Sequence, residues 1–77
     1  MNVVFNSPGI YVIDYPDEDS IEIVDKRYDR MTFVRGETAH RFRAEFESMA
    51  GQEPDLDEFE SMIRSYEPPV TYALSLH

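Results

Sequence analysis

The spacing of the apolar residues changes once along this chain, at Gly36, and that change limits the folds open to it. Before Gly36, polar breaks separate four short runs that are rich in β-branched and aromatic residues: NVVF, IYVIDY, IEIVD and MTFVR. Runs of this kind are typical of short strands. After Gly36, apolar residues recur three and four positions apart, which is typical of amphipathic helices. Strands followed by helices predict an α+β fold, in which two helices cover one face of a small sheet.

The breaks between the four runs are too short for parallel crossovers. NSPG, PDEDS and KRYDR each supply only four or five residues, whereas a parallel connection needs a dozen or more. The sheet is therefore predicted to be antiparallel. Because two cores cannot both be built from 77 residues, we expect residues 1–77 to form a single domain.

Two helices are predicted in the second half. The first begins at Gly36 and ends near Gly51, with an apolar face formed by Ala39, Phe42, Phe46, Met49 and Ala50. The second lies in PDLDEFESMIRSY, where Asp55 is a suitable N-cap with Glu58 three residues later. Its apolar stripe consists of Leu56, Phe59, Met62, Ile63 and Tyr66. Glu60 and Arg64 are expected to form an ion pair on the solvent side.

The C-terminal segment VTYALSLH alternates strictly between two kinds of residue. Its apolar side is formed by Val70, Tyr72, Leu74 and Leu76. This alternation predicts a possible fifth strand, which either extends the edge of its own sheet or pairs with another chain. A frayed terminus is the remaining alternative.

The charge of the chain is strongly acidic and unevenly distributed. The net charge is -9, with the acids concentrated before residue 26 and after residue 43 and the bases concentrated between them. Such a surface repels phosphate backbones and anionic lipid, so neither direct nucleic-acid binding nor membrane binding is expected. With no cysteine, no basic start followed by an apolar leader and no long apolar run, we expect a cytoplasmic protein.

Positive charge gathers in FVRGETAHRFRAEFESMA, where a helix N-terminus could hold an anion. At about 100° per residue, however, the helical cations fall on opposite borders of the apolar stripe, each near a carboxylate. They are therefore predicted not to converge and to extend along the helix borders. Arg35, His40 and Arg43 remain as a positive spot suited to an acidic partner or to the acidic segments of a second copy.

No catalytic, metal or cofactor site is predicted. DYPDEDS is rich in acids but lacks the alternating acids, central glycine and distal glutamate of a calcium loop. Two histidines, no GxSxG sequence and no glycine-rich phosphate loop leave few means of catalysis. A domain this small also seldom encloses a catalytic pocket of about 300 Å³ or more. We therefore expect the chain not to be an enzyme and to need no cofactor.

Several short pieces resemble one protein family. VVFNS, YVIDY, EIVDK, GETAHRFR, DEF and PPV occur in this order from Val3 to Val70, and they resemble domain-of-unknown-function family 3567, small proteins of betaproteobacteria. After Pro69 the chain departs from the family's usual ending. The resemblance implies a bacterial cytoplasmic protein and supplies no activity, cofactor or catalytic residue.

The sequence thus favours a non-enzymatic protein–protein interaction or regulatory module, whose partner is another protein or a second copy. Two surfaces are candidates: the alternating terminal segment and the positive spot. The alternative is an acidic nucleic-acid mimic that occupies a nucleic-acid-binding protein.

Overall fold

A computed structural model describes residues 1–68 of the chain. It contains four strands and two helices: β1 (Asn2–Asn6), β2 (Ile10–Tyr15), β3 (Ser20–Asp25), β4 (Arg30–Arg35), α1 (Gly36–Ala50) and α2 (Leu56–Arg64). A single 3-10 turn, Pro16–Glu18, connects β2 to β3. The predicted α+β fold and its four N-terminal strands are confirmed. The possible fifth strand falls within residues 70–77 and lies outside the described residues.

The four strands form one antiparallel sheet in the order β1-β2-β3-β4, so every strand pairs with its neighbour in sequence. This confirms the prediction that short polar breaks act as hairpin turns. The first pairing contains an irregularity between Val3 and Phe5, where β1 carries one extra residue. Such a bulge bends an edge strand and re-aims its side chains.

The aliphatic residues that are most completely buried lie on one face of the sheet, and the two helices cover this face. Val12 pairs with Ile23 across β2 and β3, and Ile21 pairs with Val34 across β3 and β4, so these side chains share a face. The buried core joins strand residues to residues of both helices: Ile10, Val12, Ile21, Ile23, Val34, Ala39, Phe42, Met62 and Ile63. The alternating apolar residues of the strands and the apolar stripes of the helices therefore pack into one core.

Aromatic rings close this core at the β1 edge. Phe5 lies 5.3 Å from Phe59 and 6.4 Å from Phe46, measured between ring centroids, so it links β1 to both helices. Phe46 and Phe59 are themselves 5.0 Å apart. Ring pairs at these separations stabilise a core beyond the area that they bury. The bulged strand is thereby fixed to the helical layer.

Helix α2 begins as predicted, and four residues of its predicted apolar stripe pack in or against the core: Phe59, Met62, Ile63 and Tyr66. The Asp55 side chain accepts a hydrogen bond from the Glu58 amide at 2.8 Å, which confirms the cap. Leu56 is half exposed, whereas Glu60 and Arg64 lie against the sheet. The prediction that this ion pair faces solvent is wrong. The reason is that Asp25, buried at the end of β3, lies 3.4 Å from the Arg64 guanidinium and turns this side of α2 inwards.

Candidate functional site

One face of the sheet is not covered by either helix. Because side chains alternate along a strand, the residues between the core positions project from this second face. We call the following set the open face: Val3, Tyr11, Ile13, Tyr15, Glu22, Val24, Met31 and Phe33. Seven of these eight side chains are aliphatic, aromatic or methionine. The open face is thus largely apolar and built from all four strands, with Val3, Met31 and Phe33 exposed and Ile13 only 8% exposed.

The edge strand β4 contributes two of the three most exposed side chains of the open face, the third being Val3 of β1. Met31 is 62% exposed and Phe33 is 48% exposed, whereas Thr32 between them points towards the helices. An amphipathic strand normally places such residues the other way round, with threonine outside. The Thr32 hydroxyl is buried without a hydrogen-bond partner among the described residues. The register of β4 therefore presents its large apolar side chains to solvent.

Cationic side chains lie beside the aromatic rings of this surface. The Lys26 ammonium is 5.7 Å from the centre of the Tyr11 ring, and the Arg35 guanidinium is 5.3 Å from that of Phe33. Contacts of this kind are attractive because the face of an aromatic ring is electron-rich. Lys26 also donates to the Ser7 carbonyl at 2.8 Å. The apolar surface thus has a cationic border.

One carboxylate lies at the centre of the open face. Glu22 is only 8% exposed, and its Oε1 accepts a hydrogen bond from the Tyr15 hydroxyl at 2.8 Å. This hydrogen bond raises the pKa of Tyr15, because the phenol must remain protonated to donate it. No other side-chain hydrogen bond reaches Glu22 within residues 1–68. Any surface that covers the open face must accommodate this charge.

His40 and Arg43, which the helical wheel places on the same side of α1, converge on one carboxylate. Asp19 Oδ1 lies 2.6 Å from His40 Nε2 and 3.1 Å from Arg43 Nη1. The wheel places the two side chains close together on α1, but it could not show that the turn between β2 and β3 brings Asp19 between them. Arg43, with His40, lowers the pKa of Asp19. The hydrogen bond to Asp14, assisted by Asp19, raises the pKa of Arg43.

The residues of the predicted interaction surface therefore occupy different places. The side chains of His40 and Arg43 already contact Asp14 and Asp19 of the same chain. Arg35 instead stacks on Phe33 at the border of the open face. Val70, Tyr72, Leu74 and Leu76 lie outside the described residues. A contact between any of these residues and a partner remains a prediction.

A polar cluster at the opposite end of the sheet was not predicted from the sequence. The Asp25 side chain is fully buried beside Arg64, and Glu67 lies 3.5 Å from Arg30. Burial and the nearby Asp25 raise the pKa of Glu67. The available signal was the position of Asp25, which follows Ile21 and Ile23 on an apolar face and must find a partner there. This cluster fixes α2 to the sheet.

Two depressions lie outside the open face. A cleft of about 260 Å³ beside β1 is lined by apolar side chains together with Glu47, Asp14 and Arg43, and the last two already pair with each other. A shallower groove between α1 and α2 carries Glu45, Asp55 and Asp57 on its walls. Residues 1–68 contain no group of three or more histidine, aspartate or glutamate side chains placed to bind a metal ion. No helix in that part of the chain is long and apolar enough to cross a membrane.

Comparison with known proteins identifies a family and a curated relative. The sequence model described as "Protein of unknown function (DUF3567)" matches residues 1–77. Protein BTH_I0359 of Burkholderia thailandensis is 33% identical over an alignment of 85 residues that covers the whole of both chains. No solved structure matches significantly. The motifs that suggested this family are therefore part of a similarity that extends along the full chain, past Pro69.

Proposed function

Because this chain belongs to the DUF3567 family, whose function is unknown, we propose from its geometry that it is a non-enzymatic protein-interaction module that binds through the open face. We expect it to act in the bacterial cytoplasm. The observation that supports the proposal is the register of β4, which exposes Met31 and Phe33 and turns Thr32 inwards. A contiguous apolar surface on a small domain is typical of a surface that contacts another macromolecule.

The composition of the open face supports protein as the kind of partner. Aromatic residues, methionine and arginine are enriched at the centres of protein interfaces, and this surface with its border combines Tyr11, Tyr15, Met31, Phe33 and Arg35. Antiparallel strands also hold these side chains in fixed positions, so little conformational entropy is lost when a partner covers them. A phosphate-rich ligand would instead need converging cations, and the cations of this surface lie at separate borders.

The proposal can be tested by affinity capture from lysate of the cells that produce the protein. The bait is the full tagged chain, either unchanged or with Met31→Glu and Phe33→Glu combined. The matched control combines Ala44→Glu and Ser48→Glu, which adds the same charge at exposed positions of α1. We expect the unchanged chain and the control to retain a shared partner that the open-face variant loses. Retention of the same partners by all three baits, each folded by circular dichroism, would contradict the proposal.

Nucleic-acid mimicry is the second candidate, and the groove between α1 and α2 favours it. Glu45, Asp55, Asp57 and Glu58 place carboxylates along this groove. A basic partner bound there should dissociate as salt rises, because exposed charges are screened within about 8 Å at physiological ionic strength. Asp57→Asn combined with Glu58→Gln should weaken such a complex, whereas the open-face variant should leave it intact. Unchanged capture by the double amide variant would exclude this candidate.

A further inference from the structure

We infer that the open face packs against the open face of a second copy of this chain, across a two-fold axis between the two sheets. The inference rests on the proposed function and names its partner. It follows from where the charges lie, from the opposite signs at the two ends of the sheet and from the size of the surface.

The net charge of -9 argues against self-association in general, but it permits this particular arrangement. The segment from Gly51 to Glu67 carries six acids and one base, and it lies on the helical side of the sheet. The open face and its border combine one acid, Glu22, with two bases, Lys26 and Arg35. The surface that meets the second copy is therefore far less acidic than the surface that faces away.

Distance separates the two acidic layers in a face-to-face pair. Packed sheets lie about 10 Å apart, and each helical layer adds about 10 Å on the outside. The two acidic helical layers are then roughly 30 Å apart, which is several times the screening length of about 8 Å. Packing through the helices would instead bring these acids into contact. Self-repulsion therefore selects the open face as the side on which a second copy can bind.

The two ends of the sheet carry opposite exposed charges, which sets the orientation of the pair. Asp17 and Glu18 are exposed in the turn before β3, where they outweigh Arg35 at the same end of the sheet. The turn after β3 is net positive, with Lys26 and Arg27 outweighing Asp29. A two-fold axis that lies between the sheets and runs perpendicular to the strands places each acidic turn over the basic turn of the second copy. An axis parallel to the strands would superimpose like charges. The first orientation is therefore favoured.

The size of the surface predicts a weak, concentration-dependent dimer. Four strands of five or six residues, about 4.8 Å apart and rising about 3.4 Å per residue, give a footprint on the order of 400 Å². Stable complexes bury about 800 Å² per partner. We therefore expect dissociation in the micromolar range or weaker, on the order of 10 to 100 µM.

Glu22 distinguishes a second copy from a basic partner. In the dimer, both Glu22 carboxylates, which are only 8% exposed in the single chain, lose their remaining contact with water. This is costly for a charge that has only the Tyr15 hydroxyl as a side-chain donor among the described residues. Glu22→Gln keeps an oxygen that can accept that hydrogen bond and removes the charge. The substitution should therefore strengthen the dimer. A partner that inserts a lysine or arginine opposite Glu22 would bind the same variant more weakly.

The test is sedimentation equilibrium of the full, untagged chain over about 5 to 500 µM. The mass should rise from 9.0 kDa towards twice that value with increasing concentration. Glu22→Gln should shift the midpoint to a concentration about tenfold lower. The Met31→Glu/Phe33→Glu variant should stay monomeric, and the Ala44→Glu/Ser48→Glu control should follow the unchanged chain.

Several results would overturn the inference. These are a monomer at every concentration, a dimer that survives the open-face substitutions, or a midpoint that Glu22→Gln leaves unchanged or raises. Its failure can be told apart from failure of the proposed function. If the chain is monomeric but its captured partner is lost from the Met31→Glu/Phe33→Glu variant, the proposed interaction module stands. Only a second copy is then excluded as the partner. Capture that is insensitive to these substitutions excludes the open face as a binding surface altogether.

Discussion

Arg43 Nη2 donates a hydrogen bond to Asp14 Oδ1 across 2.8 Å, and this contact fixes α1 to the inner strand β2. Arg43 Nε donates to the same oxygen at 3.1 Å, while Nη1 reaches Asp19. Both side chains of the Arg43–Asp14 pair are largely buried. One guanidinium therefore connects the helix to a strand and to the turn that follows it.

Replacement of Arg43 by methionine should destabilise the fold. The substitution keeps most of the aliphatic stem but leaves Asp14 without its charged donor, so the free energy of unfolding should fall by about 1 to 3 kcal/mol. Urea denaturation followed by circular dichroism measures this loss. Arg41→Met, on an exposed part of the same helix, should change it by less than about 0.5 kcal/mol. Equal losses in the two variants would contradict the assigned role.

Asp19 should make the stability of the chain sensitive to acid. Arg43 and His40 lower its pKa in the folded state below the ordinary value of 3.8. A lowered pKa contributes stability that is present above the unfolded value and is lost as the pH falls through the folded value. Asp19→Asn should therefore show a smaller loss of stability on acidification below about pH 4. Asparagine also tolerates the left-handed backbone at this position, where φ is 52°.

The measurement for Asp19 is urea denaturation at a series of pH values for the unchanged chain and the variant. Asp17→Asn is the matched control, because Asp17 is an exposed acid in the same turn that forms no ion pair with a described residue. If the free energy of unfolding changed with pH in the same way for Asp19→Asn and Asp17→Asn, the ion pairs of Asp19 would not contribute to the acid sensitivity of the fold.

Gly36 should tolerate a side chain poorly, although the space beside it is empty. Its φ of 59° is in the left-handed region, where β4 turns into α1, and no atom lies within 4 Å of the point that a Cβ atom would occupy. Gly36→Ala should therefore cost about 1 to 2 kcal/mol through backbone strain alone. Gly51→Ala is the control, because Gly51 has a right-handed φ of -70°. Thermal denaturation should show a lower midpoint only for the first variant.

Asp55 should contribute measurably to α2 even though it is exposed. Its side chain satisfies the Glu58 amide at the start of the helix, so Asp55→Ala should lower the free energy of unfolding by about 1 kcal/mol. Asp57→Ala removes an acid from the same first turn without removing the cap and should cost about 0.3 to 1 kcal/mol at most. Urea denaturation at two salt concentrations separates the two effects, because only the dipole contribution is strongly screened.

Local patterns predicted the elements of this fold well because each element is determined by nearby residues. The four strands follow runs of β-branched residues, Gly36 separates two periodicities, and Asp55 caps α2 as its spacing with Glu58 indicates. The antiparallel pairing also followed from the sequence, since breaks of four or five residues favour hairpins.

The contacts between elements could not be predicted in the same way. A helical wheel gives the angle of His40 and Arg43 on α1, but it does not say that Asp19 lies between them. The same limit applies to Arg64, which was expected in solvent and instead reaches Asp25. Alternation along β4 separates its residues into two sets, yet it cannot decide which set the helices cover. These outcomes depend on how the layers dock.

The strand order β1-β2-β3-β4 has a consequence for how quickly the chain can reach its native state. Every pairing in the sheet joins neighbouring segments, so contact order is low for a sheet and only short loops must close. Hairpins of this size form in about 1 to 10 µs. Since the strands also precede both helices in the chain, the sheet can assemble during synthesis while residues 36–64 are still being added. For that interval both of its faces are accessible, and α1 and α2 later shield only one.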